Sequence, residues 1–137
     1  MSTPSRNDIL NLKPGDRFVL RCVSCGADVS RPVTLVPDDT PWPQEYPVPL
    51  LPAGSAMRIS LKQEWPELPR IEIAVMTPDL IGLTLTENWV GCCGPDGDRP
   101  NTTCVCGRII ATAYADCWQA LYTAFSNDDV SVSRVSS

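Results

Sequence analysis

The chain has 137 residues, is 43% hydrophobic and carries a net charge of −5 without a single histidine. That length suits one domain, 1–137, which buries roughly two-thirds of the surface its unfolded chain would expose, so a hydrophobic core is within reach. The missing histidine excludes His-based triads, HExxH metalloproteases, His-ligated zinc and a histidine pH switch. The acidic balance disfavours nonspecific contact with phosphate backbones.

Residues 1–8 are polar and lack the apolar run of a secretory signal. No stretch approaches the roughly 18 apolar residues of a membrane-spanning helix, the best run, Val48 to Ala53, being broken by proline. A cytoplasmic, reducing setting is therefore expected, in which seven cysteines serve as metal ligands or redox thiols rather than disulfides. The odd count agrees, since complete internal pairing is impossible. Charge is uneven: residues 1–35 carry +2, residues 36–100 carry −6 and residues 101–137 carry −1.

In chain order, Asn7 to Leu12 is predicted as a single helical turn, and Pro14-Gly15-Asp16 as a chain reversal. Arg17 to Cys22 reads as a strand running into a cysteine corner, with Val29 to Val36 returning beside it. Residues 37–52 hold six prolines and are expected as an extended surface loop, partly polyproline II, with Trp42 and Tyr46 packed over the domain's own core. Met57 to Leu61 and Arg70 to Met76 alternate as strands do, with Ile71, Ile73 and Val75 on one inward face. Leu80 to Thr86 and Ile109 to Tyr114 are further strand candidates. Asp116 to Phe125 fits either a short C-terminal helix capped by Asp116 or a strand. Residues 126–137 read as a polar tail with at most an edge strand at Val130 to Val132. The predicted fold class is mainly β, a small metal-stapled domain.

The cysteines carry the chemistry. Cys22-Val-Ser-Cys25-Gly26 and Cys104-Val-Cys106-Gly107 are two cysteine corners, each followed by a glycine that lets the chain leave a tight turn with φ > 0. Two thiolates from each corner complete a tetrahedral S₄ site suited to Zn²⁺. The second corner is one residue shorter than a CxxC. In a straight strand its two sulfurs would sit about 6.5–7 Å apart, too far for one ion, so the chain must bend there. The predicted metal ligands are thus Cys22, Cys25, Cys104 and Cys106, with zinc as the cofactor.

Two other ligand sets remain open. Cys93, Cys104, Cys106 and Cys117 form a local set, spaced eleven residues apart on either side of the CxC. Alternatively, two sites use all seven sulfurs and one carboxylate such as Asp116 or Asp96. Cys92, Cys93 and Cys117 could also simply be buried, since free cysteine packs as a small hydrophobe. The vicinal Cys92-Cys93 pair suggests thiol redox chemistry, with Arg99 or Arg108 nearby to lower a thiol pKa, although the βαβ context of a thioredoxin-type site is missing. Asp96-Gly97-Asp98 is better explained by a Pro-Asp-Gly turn than by a calcium loop. A Ser60–Lys62 pair lacks any oxyanion motif.

The two glycine-terminated corners resemble those of a zinc ribbon, in which knuckles at hairpin tips share one ion. The insertion of nearly eighty residues between them exceeds that of an ordinary ribbon. The stretch running from Trp89 through Gly-Cys-Cys-Gly, Pro100-Asn101, Cys104-Val-Cys106-Gly107 and Asp116-Cys117-Trp118 also resembles a pattern in uncharacterised bacterial Cys-rich proteins, a resemblance that implies no activity.

The resulting expectation is a non-catalytic zinc-binding protein-interaction module. Its acidic middle and its aromatics Trp42 and Trp65 point to a basic protein partner, as for an acidic immunity or antitoxin-like protein. A thiol-based redox or metal-handling protein is the first alternative. A nucleic-acid-binding ribbon is the second, resting on Lys13, Arg17, Arg21 and Arg31 around the first corner. No membrane partner is expected.

Overall fold

Residues 17–22 and 109–114, each with three consecutive buried positions as where both faces of a strand are covered, are strands in the computed structural model, which describes residues 8–61, 70–86, 91–95, 97, 100–126 and 128–135. A four-residue helix α1 (Asp8–Asn11) precedes β1 (Arg17–Cys22), β2 (Val33–Leu35), β3 (Val48–Pro49), β4 (Ser55–Leu61) and β5 (Arg70–Val75). A 3₁₀ turn (Thr77–Asp79) leads to β6 (Thr84–Leu85), β7 (Thr102–Thr103), β8 (Ile109–Tyr114), β9 (Ala120–Ser126) and β10 (Val130–Arg134). The chain is mainly β, and these strands form one mixed sheet in the order β10-β1-β2-β4-β5-β9-β8-β7-β6, with β3 beside β9.

Two hydrophobic clusters lie against this sheet. The larger unites Phe18, Leu20, Val33, Ala56, Ile73, Val75, Ile110, Phe125 and Val130, and α1 and the residue after it add Ile9 and Leu12. Arg58 fixes α1 to β4 by donating to the carbonyls of Ile9 and Leu12, at 2.9 and 2.8 Å. The smaller cluster gathers Leu50, Leu51, Met57, Ala74, Met76, Ala120, Tyr122 and Ala124.

The sheet is rolled. β1 and β8 stand five places apart in the strand order, which in a flat sheet would separate them by roughly 24 Å at about 4.8 Å per strand. Yet Phe18 and Leu20 of β1 share a core with Ile110 of β8. Strand twist accumulating in one sense brings the distant strands face to face.

The structure departs from the sequence-based reading at several points. The return of β1 is interrupted: Val29 donates to the Leu20 carbonyl, but Arg31 bonds to Asp79 and β2 begins only at Val33, after Pro32. Pro32 supplies no N–H for the ladder. Of Leu80 to Thr86, only Thr84–Leu85 is a strand. Between 116 and 126 the strand alternative is adopted: Asp116 opens a turn and β9 starts at Ala120, so no C-terminal helix forms. Both faces of β5 are buried rather than one, because Leu50 and Leu51 cover Ala74 and Met76 opposite Ile73 and Val75.

The proline-rich segment is more than a surface loop, since Val48–Pro49 pairs in parallel with Ala120–Leu121 at the open flank of β9. Its leucines do most of the covering. Trp42 sets its ring edge against Tyr122 at 5.7 Å but stays 45% exposed, and Tyr46 is exposed too. Within 126–137, β10 pairs with β1 over five register positions and buries Val130. Trp65-Pro66, Lys62, Trp89, Asp96, Asp98 and Arg99 lie outside the described residues.

Candidate metal centre

Two short chain reversals build the first cysteine cluster. At the end of β1, Cys22 donates its N–H to the Ala27 carbonyl at 3.0 Å, and Gly26 donates back to the Cys22 carbonyl at 2.8 Å. Beyond β7, Cys104 donates to Arg108 at 2.9 Å and Gly107 donates to Cys104 at 2.8 Å. The two corners thus repeat one scheme, with the second a residue tighter. Gly107 has φ +92 and Gly26 has φ +75, values that side-chain-bearing residues adopt only with strain.

The rolled sheet brings these corners together. The Cys22 and Cys106 sulfurs lie 3.9 Å apart, those of Cys25 and Cys104 lie 3.6 Å apart, and all four sit within 4.8 Å of one another. A tetrahedron with Zn–S near 2.3 Å has edges of about 3.8 Å. The four thiols therefore have the number, the element and the spacing of a tetrahedral thiolate site. Cys22 and Cys104 are buried, whereas Cys25 and Cys106 face outward.

Polar contacts lock the corners to each other. Arg108, just after the second corner, donates to the Ser24 hydroxyl at 2.8 Å and to Asp129 at 2.9 Å. The Val23 N–H in turn donates to the Asp129 carbonyl at 3.1 Å. Burial pushes the Cys104 thiol up to about 12, with hydrogen bonding from Cys25 adding to the rise. The Arg108 backbone N–H lowers Cys106. Without a cation, repulsion between thiolates so close together favours the protonated thiols, and a bound metal ion displaces those protons and offsets the thiolate charge.

A second cluster forms where the Gly91–Pro95 loop meets the turn at Asp116. The Cys92 sulfur lies 3.3 Å from that of Cys93 and 3.7 Å from that of Cys117, and all three thiols are exposed. Asp116, only 2% exposed, sits beneath them. Its carboxylate accepts backbone N–H bonds from Cys92 (3.2 Å), Cys93 (3.1 Å) and Cys117 (2.7 Å), and the indole N–H of Trp118 (3.0 Å). Burial alone would raise this carboxyl, but the N–H groups of Cys117, Cys93 and Cys92 overcome it and hold it at about 2. Cys92 is pushed up to about 12, first by sharing protons with Cys93 and Cys117 and then by the Asp116 charge.

Both clusters could hold a metal ion. The local set of Cys93, Cys104, Cys106 and Cys117 is divided between them, while the two-site alternative with Asp116 matches their membership. Sequence reasoning did not anticipate that Asp116 would gather the Cys92-Cys93 loop, nor that an aromatic cleft would open beside it. Trp42, Tyr46, Tyr114, Trp118 and Tyr122 line a hollow of about 330 Å³. Tyr114 and Tyr122 stack at 4.6 Å because they face one another in the β8–β9 register. The strand reading of 116–125, set as a hairpin partner of Ile109 to Tyr114, is the signal that could have found that pairing. Comparison of the chain with protein-family models, with curated proteins and with solved structures finds no match.

Proposed function

We propose that this protein is a zinc-binding protein-interaction module without catalytic chemistry at its four-thiol site, where Cys22, Cys25, Cys104 and Cys106 clasp one ion that keeps the rolled sheet closed. The observation that carries this reading is the convergence of four sulfurs, two pairs of them 3.6 and 3.9 Å apart, from the corner that ends β1 and the corner between β7 and β8, at distant places in the strand order. Four thiolates leave no position for an activated water, which suits a structural ion rather than a hydrolytic one. Zinc is favoured over iron because it needs no redox partner, and iron in an S₄ site would colour the protein.

The partner we favour is a basic protein reaching the aromatic cleft. Trp42 and Tyr46 project from a segment that also carries exposed Asp39 and Glu45. A lysine or arginine approaching that rim meets both opposite charge and ring faces, a combination that steers and anchors. We place the protein in the cytoplasm on the strength of its cysteine usage. Among the described residues no helix is long and apolar enough to cross a membrane.

Elemental analysis of protein purified without added metal tests the core of this proposal. Zinc at one or more ions per chain is expected, falling by one on Cys104→Ser. Folded, metal-free protein with these four cysteines oxidised in pairs would refute it.

A further inference from the structure

The Cys92, Cys93 and Cys117 cluster differs from the four-thiol clasp in one decisive respect, which is the state of its carboxylate. A carboxylate offers about four lone-pair sites. Asp116 Oδ1 accepts from the Cys93 and Cys117 N–H groups, and Oδ2 accepts from the Cys92 N–H and the Trp118 indole. Four N–H donors at 2.7 to 3.2 Å engage both oxygens and the Cys92 thiol adds a longer contact to Oδ1 at 3.6 Å, so Asp116 is committed to hydrogen bonds and would have to give one up to bind a metal ion. It acts as a positioning residue, holding the backbone of three cysteines so that their sulfurs converge. Gly94 makes the packing possible, because a Cβ there would lie 2.5 Å from the Ala115 carbonyl oxygen.

We propose that Cys92, Cys93 and Cys117 form a second, exchangeable site for a thiophilic d¹⁰ cation of the zinc class, bound by three thiolates with its fourth position open to solvent or to a ligand from outside. Soft sulfur donors select such ions, and three protein ligands plus one open position is the arrangement that lets an ion bind small molecules or pass to another carrier. All three cysteines are exposed residues, which puts the cluster at the surface, where an incoming ligand can approach. The clasp at Cys22, Cys25, Cys104 and Cys106 is saturated by comparison, with two of its four sulfurs buried.

The test uses full-length protein purified under reducing, oxygen-free conditions, loaded with Zn²⁺ and freed of excess. Two ions per chain are expected, one lost to a chromophoric chelator at least tenfold faster than the other. Cys92→Ser and Cys117→Ser should each lower the count to one and abolish the fast phase, while the slow phase and the circular dichroism spectrum persist. Cys104→Ser should remove the slow phase instead, which separates failure of the clasp from failure of this site. With Co²⁺ replacing the fast ion, imidazole or a small thiol should shift the thiolate charge-transfer spectrum. A count of one in wild-type protein, two ions unaffected by Cys92→Ser and Cys117→Ser, or a disulfide among the three cysteines in oxygen-free protein would overturn the site. A cobalt spectrum indifferent to added ligand would overturn its open position and return Asp116 to the ligand set.

Discussion

Asp116 and the glycines around the cysteines show how much rests on single atoms. The Asp116 carboxyl is held near 2 by N–H donors, well below the roughly 3.9 of an unfolded aspartate. A depressed carboxyl contributes stability that is fully present above the unfolded value and disappears as pH falls through the folded one. Asp116→Asn should therefore be less stable than wild type near neutrality. The difference should narrow as pH drops from about 4 towards 2, as followed by denaturant melts across that range. The two knuckle glycines make a cleaner case. A Cβ at Gly107 meets nothing within 4 Å, so only the left-handed backbone resists substitution. Gly107→Ala should cost on the order of 1 kcal/mol, with zinc retained. Gly97 also has positive φ, but a Cβ there would collide with the ring of Tyr114. Gly97→Ala should therefore be the more damaging of the two, read from paired melting curves.

At the scale of elements, the proline-rich segment behaves as a lid on β5 and β9 that is built into the core. Leu50 and Leu51 are each 5% exposed, whereas Trp42 is 45% exposed. Truncating a buried leucine removes transfer energy and leaves a cavity, so Leu51→Ala should cost about 2–4 kcal/mol. Trp42→Ala loses a half-exposed ring and one edge-to-face contact with Tyr122, worth about 1 kcal/mol. Urea denaturation of the two variants distinguishes a segment that stabilises through its leucines from one that stabilises through its tryptophan. If the order were reversed, the aromatic cleft would belong to the core rather than to a partner.

For the whole molecule, the four-thiol clasp joins the β1 end of the sheet to the β7–β8 end, a long connection that no single hairpin supplies. Removing its ion should loosen the rolled sheet as a unit. Chelation, or Cys22→Ser, is expected to lower the melting temperature by on the order of 10 °C, measured by differential scanning calorimetry in matched buffers. Cys25→Ser, Cys104→Ser and Cys106→Ser should behave alike, since each removes one corner of one tetrahedron. The partner proposal also belongs at this scale. Asp38 already pairs with Arg58 at 3.2 Å, which leaves Asp39 and Glu45 as the better steering charges. Capture of a basic protein at low salt should weaken at moderate salt and disappear in an Asp39→Asn, Glu45→Gln, Trp42→Ala variant. A nucleic-acid role draws less support, because Arg21 beside the first corner is already engaged by Asp28 at 2.9 Å. Salt-dependent binding to mixed-sequence DNA would reinstate it.

The sequence by itself determined whatever is governed by neighbours along the chain. Alternation at 57–61 and 70–76 specified strands, Pro14-Gly15 specified a reversal, and glycine after Cys25 and Cys106 marked two tight corners. The absence of histidine restricted any transition-metal site chiefly to sulfur ligands. The ambiguity at 116–125 was genuine at that level, because Trp118, Leu121, Tyr122 and Phe125 suit a helical stripe as well as a strand. Tertiary structure decided it, since β8 and β5 together offer β9 a ladder on both edges that an isolated helical turn could not match. It also decided which sulfurs meet. Equal eleven-residue spacings made Cys93, Cys104, Cys106 and Cys117 a plausible set, yet the roll of the sheet sets Cys104 and Cys106 against Cys22 and Cys25, 79 and 84 residues away along the chain. Cys93 and Cys117 are left with Cys92 above Asp116. Spacing reports on contacts within a turn or hairpin, whereas contacts across a rolled sheet depend on twist summed over many strands, which no local pattern records.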